Sequence, residues 1–263
     1  MKRQDIVVAD NTAELLRTYA ERYETAEFII GDPSWFMHQV EKSDDRIALA
    51  FIASALSYGS RKQFFPKIQY MLDCSQGKVD EWVRSGAFAN DIPNNPGRCY
   101  YRLYTFATMH RFLSAFREMM HEYGSLTEFV RQSAPDARCL SAVEAITSWF
   151  AARGIEGVIP KNTQSSCKRV CMFMRWMVRS GSPVDLGLWS DIIDRRTLIM
   201  PMDTHVVQQS MRLGLLSSSS ASMSAALRLS SAMLIVFPDD PLKGDFALFG
   251  YGVNKSLTEY DNQ

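Results

Sequence analysis

The sequence has no excess charge: 29 lysines and arginines balance 29 aspartates and glutamates. That excludes a uniformly basic, non-specific polyanion binder. It leaves room for a local patch, because a phosphate responds to the field in a cleft and not to the sum over the chain. No apolar run approaches the ~20 residues that cross a bilayer. Met1-Lys2-Arg3-Gln4-Asp5 opens without the apolar segment of a secretory signal. Cysteines are few and odd in number, five at Cys74, Cys99, Cys139, Cys167 and Cys171. That excludes a closed disulfide framework and reads as reduced thiols in a cytoplasmic protein. The four histidines, His38, His110, His121 and His205, include no i, i+4 pair. Cys167 and Cys171 lack a second ligand pair nearby, so neither a metal nor another cofactor is expected. Also missing are alternating apolar and polar runs joined by a tight glycine turn, which argues against β-sheet. No internal repeat of about 20–50 residues is visible.

What the chain has is helical patterning over an ordinary globular composition, 46% hydrophobic and 22% charged in 263 residues. Ser43-Asp44-Asp45 puts acid in a first helical turn, where it meets the positive helix end. Ile47, Phe51, Ser54, Ala55 and Tyr58 follow at helical spacing before Gly59, a C-cap residue. The small residues Ala48, Ala50, Ala53 and Ala55 predict a helix packed on several sides. Further helices are predicted at about 61–73, 79–85, 106–123, 125–132, 138–151, 166–179, 204–213 and 221–236, with a short closing helix from Asp245. Loops occupy Asn90 to Gly97, Gly154 to Ser165 and the polar Ser217-Ser218-Ser219-Ser220. The fold class is all-α.

Two segments carry candidate chemistry. In the first, Lys168, Met172, Arg175 and Arg179 share one helical face with Arg169 beside it, while Val170, Phe173, Met174 and Met177 face the core. Gly157 to Val184 contains no acid but five basic residues, Lys161 and Arg169 among them. The plain alternative is a solvated helix face. Pairing of Arg175 or Arg179 with Asp185 or Asp191 would instead mark the stripe as internal. In the second segment, Pro201-Met202-Asp203-Thr204-His205-Val206 places Asp203 at an N-cap position. An aspartate there usually satisfies backbone N–H groups and does nothing more. A lone helical His205 is more often packed than a ligand.

Pro201-Met202-Asp203-Thr204-His205-Val206 followed by Arg212-Leu213-Gly214-Leu215 resembles the helix-hairpin-helix DNA glycosylase superfamily, which carries a Pro-Val-Asp-Thr-His-Val segment before a short helix ending in Arg-Leu-Gly. The Lys168 helix is similar to that superfamily's lysine-bearing helix. Over nearly its full length the chain also resembles a bacterial family, distantly related to those glycosylases and without an established activity. Tyr101-Arg102, Cys167-Lys168-Arg169, Arg175 to Arg179, Asp185 to Trp189 and Asp245 to Gly250 carry that likeness. Here Ser165-Ser166-Cys167-Lys168 keeps the lysine but lacks the hairpin's Gly-x-Gly, which removes its phosphate clamp. The long spacing from Lys168 to Asp203 is closest to that of archaeal 8-oxoguanine glycosylases. No cysteine follows Gly252, so no iron–sulfur cluster is implied.

The resemblance implies a bilobal helical bundle of the glycosylase type, with 44–179 as the central lobe carrying Lys168. Residues 1–43 and 180–263 would form the second lobe carrying Asp203, the two facing each other across a cleft. It implies catalysis by Lys168 and Asp203 on a damaged DNA duplex. Arg169, Arg175, Arg179, Arg61 and Lys62 would contact the nucleic acid. Tyr58, Trp176, Trp189 and His205 would line or support the base pocket. No membrane and no obligate protein partner are expected. Two other readings stay open: a non-catalytic nucleic-acid-binding protein on the same scaffold, and a helical protein-interaction module. The 14 methionines and 15 phenylalanines give the last a slight hint.

Overall fold

The computed structural model describes residues 7–155 and 157–260, with side chains through Asn254. Apart from one short strand pair and 3-10 turns, its regular structure is α-helix, so the all-α expectation holds. The chain divides into two units. One runs through Phe28 and resumes at Gln164; the other is Ile29–Thr163. The sequence put these divisions at 43/44 and 179/180. The difference moves the Lys168 helix out of the central segment and into the unit that holds Asp203. Pairing explains the shift: Ser165 bridges Ser222 in antiparallel fashion, and the Ser166 N–H donates to the Ala221 carbonyl at 3.1 Å.

The first unit begins with α1 (Asp10–Tyr23), whose buried Ala13, Leu16 and Ala20 recur at helical spacing. Leu15, Tyr19 and Tyr23 are partly covered, the two tyrosines by Tyr251 and Phe249 of the closing helix, and no helix is predicted here from the sequence.

The second unit starts with the 3-10 turn Pro33–His38 and α2 (Ser43–Leu56). Every residue from Ile47 to Leu56 is buried, which is what the run of alanines anticipates for a helix at the centre of its unit. There follow α3 (Arg61–Cys74), α4 (Val79–Ser85), α5 (Phe88–Asp91), the strands β1 (Cys99–Tyr101) and β2 (Tyr104–Thr105), α6 (Phe106–Tyr123), α7 (Leu126–Ser133) and α8 (Cys139–Ala152). Two of these starts are fixed by side-chain caps. Thr105 Oγ1 accepts from the Thr108 N–H at 3.1 Å, and Ser125 Oγ accepts from the Glu128 N–H at 3.1 Å. The core is a phenylalanine cluster, with the Phe51 ring 5.0 Å from Phe116, 5.7 Å from Phe112 and 5.5 Å from Phe150.

The first unit resumes with α9 (Lys168–Val178), α10 (Thr204–Arg212), α11 (Met223–Val236) and α12 (Lys243–Tyr260). α12 lies against both α1 and α10. Glycine makes the contact with α10 possible: a Cβ on Gly252 would stand 2.0 Å from His205 Cε1. Trp176, Trp189 and Phe246 fill the interior. No helix among the described residues is long and apolar enough to cross a membrane.

Candidate active site

Lys168 opens α9, and Asp203 is the N-cap of α10. Asp203 takes an extended backbone (φ −106°, ψ 176°), and its Oδ1 accepts from the Val206 N–H at 2.7 Å. That leaves Oδ2 to face Lys168, whose Nζ lies 3.5 Å away. The side chains are 36% and 40% exposed, so solvent reaches both members of the pair. A cation in the first turn of a helix opposes the positive helix end, and Asp203 supplies the compensating charge. Two helix starts thus meet through one lysine and one aspartate, both in the first unit.

The chain enters α9 through Cys167, whose φ of +48° and ψ of +38° are left-handed. Its side chain turns inward and is 1% exposed. Burial pushes the Cys167 thiol up, against weaker pulls from Ser165 and Arg169. It is therefore not an activated thiolate beside the lysine. The half-buried Arg169 follows Lys168 on α9.

Arg175 and Arg179 do not continue an exposed basic stripe. They are 4% and 1% exposed and serve an internal charge network, which corrects the expectation that they contact phosphates. Arg175 Nε donates to Asp185 Oδ1 at 3.2 Å, and its Nη1 donates to Asp245. Arg179 Nη1 donates to Asp185 Oδ2 at 2.5 Å, while its Nη2 reaches Asp240 at 2.8 Å and Glu24 at 2.7 Å. A helical projection finds the shared face but not what lies against it. The acids come from positions 24, 185, 240 and 245, far apart in the chain.

Burial pushes the carboxyls of Asp185 and Asp245 above the ordinary aspartate range, although Arg175 and, at Asp185, Arg179 pull them back. Burial works against the Arg179 charge, but Asp185, Asp240 and Glu24 outweigh it and hold the guanidinium above its usual value. The imbalance has a plain origin, since four carboxylates meet two guanidiniums. The charge of Asp203 also acts on Asp245 and raises it. Asp203 therefore couples to the Lys168 amine on one side and to the buried network on the other. Asp240, Asp245 and Glu24 are the residues that sequence reasoning did not place in the site. Asp185 was foreseen as one alternative partner of the stripe.

The expected base-pocket residues divide. Trp176 and Trp189 are 0% exposed and cannot stack on a substrate base, a second correction. Trp189 packs edge-on against Phe173 at 5.2 Å, and the Trp176 indole N–H has no acceptor among the described residues. His205 packs against Gly252 and Phe249, and its buried Nε2 has no hydrogen-bond partner among the described residues. Tyr58, Arg61 and Lys62 belong to the second unit. There the Tyr58 ring packs on Tyr101 and Tyr104 at 5.3 and 5.4 Å. Arg61 donates to the Gly31 carbonyl at 2.9 Å and lies 3.7 Å from Asp32, while Lys62 is exposed. Among the described residues no group of three or more His, Cys, Asp or Glu side chains could hold a metal ion.

No curated protein and no solved structure matches the chain. The family model described as "Protein of unknown function (DUF2400)" matches residues 32–254, a stretch that takes in Lys168, Asp203 and three aspartates of the buried network, and the chain belongs to that family.

Proposed function

We propose that this chain is a DNA-repair glycosylase with abasic-site lyase activity, built on a helix-hairpin-helix type of scaffold. The observation that carries the proposal is the Lys168–Asp203 pair, 3.5 Å apart and more than a third exposed on each side. Cleavage of an N-glycosidic bond builds positive charge on the sugar, which a fixed carboxylate stabilises. Asp203 is fixed, because capping α10 occupies its other oxygen. Lys168, once neutral, attacks the anomeric carbon as the bond to the base breaks, and the base leaves with the bonding electrons and takes up a proton. The sugar ring then opens to a Schiff base on Lys168. Loss of a proton from the neighbouring sugar carbon expels the 3′ phosphate.

A second reading is a nucleic-acid-binding protein without catalysis. What favours it is the internal use of Arg175 and Arg179, which removes two cations from the surface around the pair. The Gly-x-Gly clamp is absent as well.

Borohydride trapping decides between them, on duplexes carrying 8-oxoguanine, uracil, an alkylated base or an abasic site. The wild type is expected to form a covalent adduct that Lys168→Ala abolishes, while Asp203→Asn slows base release by about a hundredfold or more. Duplex binding without adduct or base release would leave the binding protein.

A further inference from the structure

The strand pair of the second unit is a feature that the chemistry above does not use. Cys99 pairs with Thr105 and Tyr101 with Tyr104, leaving Arg102 and Leu103 as a two-residue tip. Leu103 is 86% exposed, and no large apolar side chain among the described residues is more so. A single exposed leucine is ordinary. This one is distinguished by its mount. The Tyr101 hydroxyl donates to the Tyr58 carbonyl. The Tyr100 hydroxyl donates to the Lys67 carbonyl at 2.5 Å, and the Tyr104 hydroxyl to Gly157 at 2.8 Å. The strands are thus anchored at three points, and the tip presents its leucine on a fixed base.

Three cations flank the hairpin, Arg102 at its tip, Lys67 beside β1 and Arg98 at its base, each lying on an aromatic face. The Arg102 guanidinium sits 5.1 Å from the Tyr58 ring centre, Lys67 Nζ 5.4 Å from Tyr100, and the Arg98 guanidinium 4.2 Å from Phe106. Gly59 leaves room for the first, since a Cβ there would stand 2.6 Å from Arg102 Nη1. Stacking fixes these charges without neutralising them. None of the three forms an ion pair among the described residues. Residues 58–72 and 92–117 contain no aspartate or glutamate but carry Arg61, Lys62, Lys67, Arg98, Arg102, Arg111 and Arg117. In a chain of zero net charge, that is a local excess of basic residues along these two segments, of which Arg61 faces Asp32.

We propose that this hairpin is a nucleic-acid-binding finger. Arg98, Arg102 and Lys67 hold backbone phosphates, and Leu103 enters the base stack where it is weakened by a lost base or a mismatch. A lipid surface would call for a broad apolar face, and a protein partner for an apolar patch, where this tip offers one side chain. The inference rests on reading the chain as acting on DNA, but not on the Lys168–Asp203 chemistry.

Fluorescence anisotropy of the full chain tests it, on an intact duplex and on one carrying a tetrahydrofuran abasic analogue beside 2-aminopurine. Wild type binding raises 2-aminopurine fluorescence on the second. Leu103→Ser is expected to lose about tenfold in affinity for the abasic duplex, with the fluorescence rise, while keeping affinity for the intact one. Arg98→Ala should weaken both equally and reduce the slope of log K against log salt by about 1. Leu103→Ser matching wild type on both duplexes, an unchanged salt slope in Arg98→Ala, or wild type binding phosphatidylserine vesicles in preference to duplex would each overturn the finger. A Lys168 adduct with no Leu103 effect would leave the chemistry standing and remove the finger. The reverse pattern would do the opposite.

Discussion

Asp203 divides its two oxygens between two tasks, and substitutions separate them. Oδ1 caps α10 and Oδ2 faces Lys168. Asparagine is as good an N-cap as aspartate, whereas alanine forfeits about 1 kcal/mol at such a position. Asp203→Asn should therefore melt close to wild type in urea while losing the Lys168 adduct or base release. Asp203→Ala should lose both the activity and about that much stability. Equal stability of the two variants would mean that the cap contributes nothing. The cap was legible in the sequence, because an aspartate before a helical run has few other uses. The partnership with Lys168 was legible only through resemblance, since no local rule relates positions 168 and 203. The internal destination of Arg175 and Arg179 was not legible at all from their own helix.

Among the elements, the sequence traced most helices closely, as with 106–123 for α6 and 79–85 for α4. There the apolar period, caps and terminal glycines agree. It missed α1, whose partly covered tyrosines meet α12, and the hairpin. The tip that joins β1 to β2 contains Arg102 at φ +51° and Leu103, not the Asn-Gly or Gly-Gly that marks a tight turn. Contacts with Tyr58 and the Lys67 backbone hold that shape from outside the hairpin. The close meeting of α10 and α12 is likewise invisible locally, since glycine inside a helix ordinarily reads as a weak point. Replacing Gly252 by alanine would gain about 1 kcal/mol of helix propensity. The new methyl would also stand 2.2 Å from His205 Nε2, within a rigid ring that cannot bend away. Overpacking of this kind costs about 1–3 kcal/mol. Because His205 follows the α10 cap by two residues, Gly252→Ala should lower both the thermal midpoint and the yield of any Lys168 adduct. A variant more stable than wild type would show that the glycine is not required there.

At the scale of the whole molecule, zero net charge conceals how unevenly charge is used. The second unit is held by a phenylalanine cluster, whereas the first buries carboxylates that outnumber their guanidiniums. Removing a single partner of such a network strands a buried charge, at a cost of about 3–5 kcal/mol. The dependence of stability on pH differs in sign between the exposed carboxylates and those of the network. Asp136 and Asp194 are held below the ordinary range by hydrogen bonds, from Ser141 and from Arg196. Their contribution is present above the ordinary value and is lost as pH falls through the folded one. Asp245 has the opposite sign. Its folded carboxyl is raised, so the folded state holds the proton more tightly than the unfolded chain does. Its contribution is fully present below the ordinary value of 3.8 and declines as pH rises towards the folded value. Asp245→Asn keeps a neutral, hydrogen-bonding side chain at that place and does not titrate. The stability gap between wild type and Asp245→Asn should therefore shift against wild type as pH rises from about 4 to 8, as read from urea midpoints at each pH. A gap that moves the other way would mean that Arg175 outweighs burial at Asp245. The network would then hold its carboxylates charged throughout, and the field that Asp203 feels from its interior side would not change with pH.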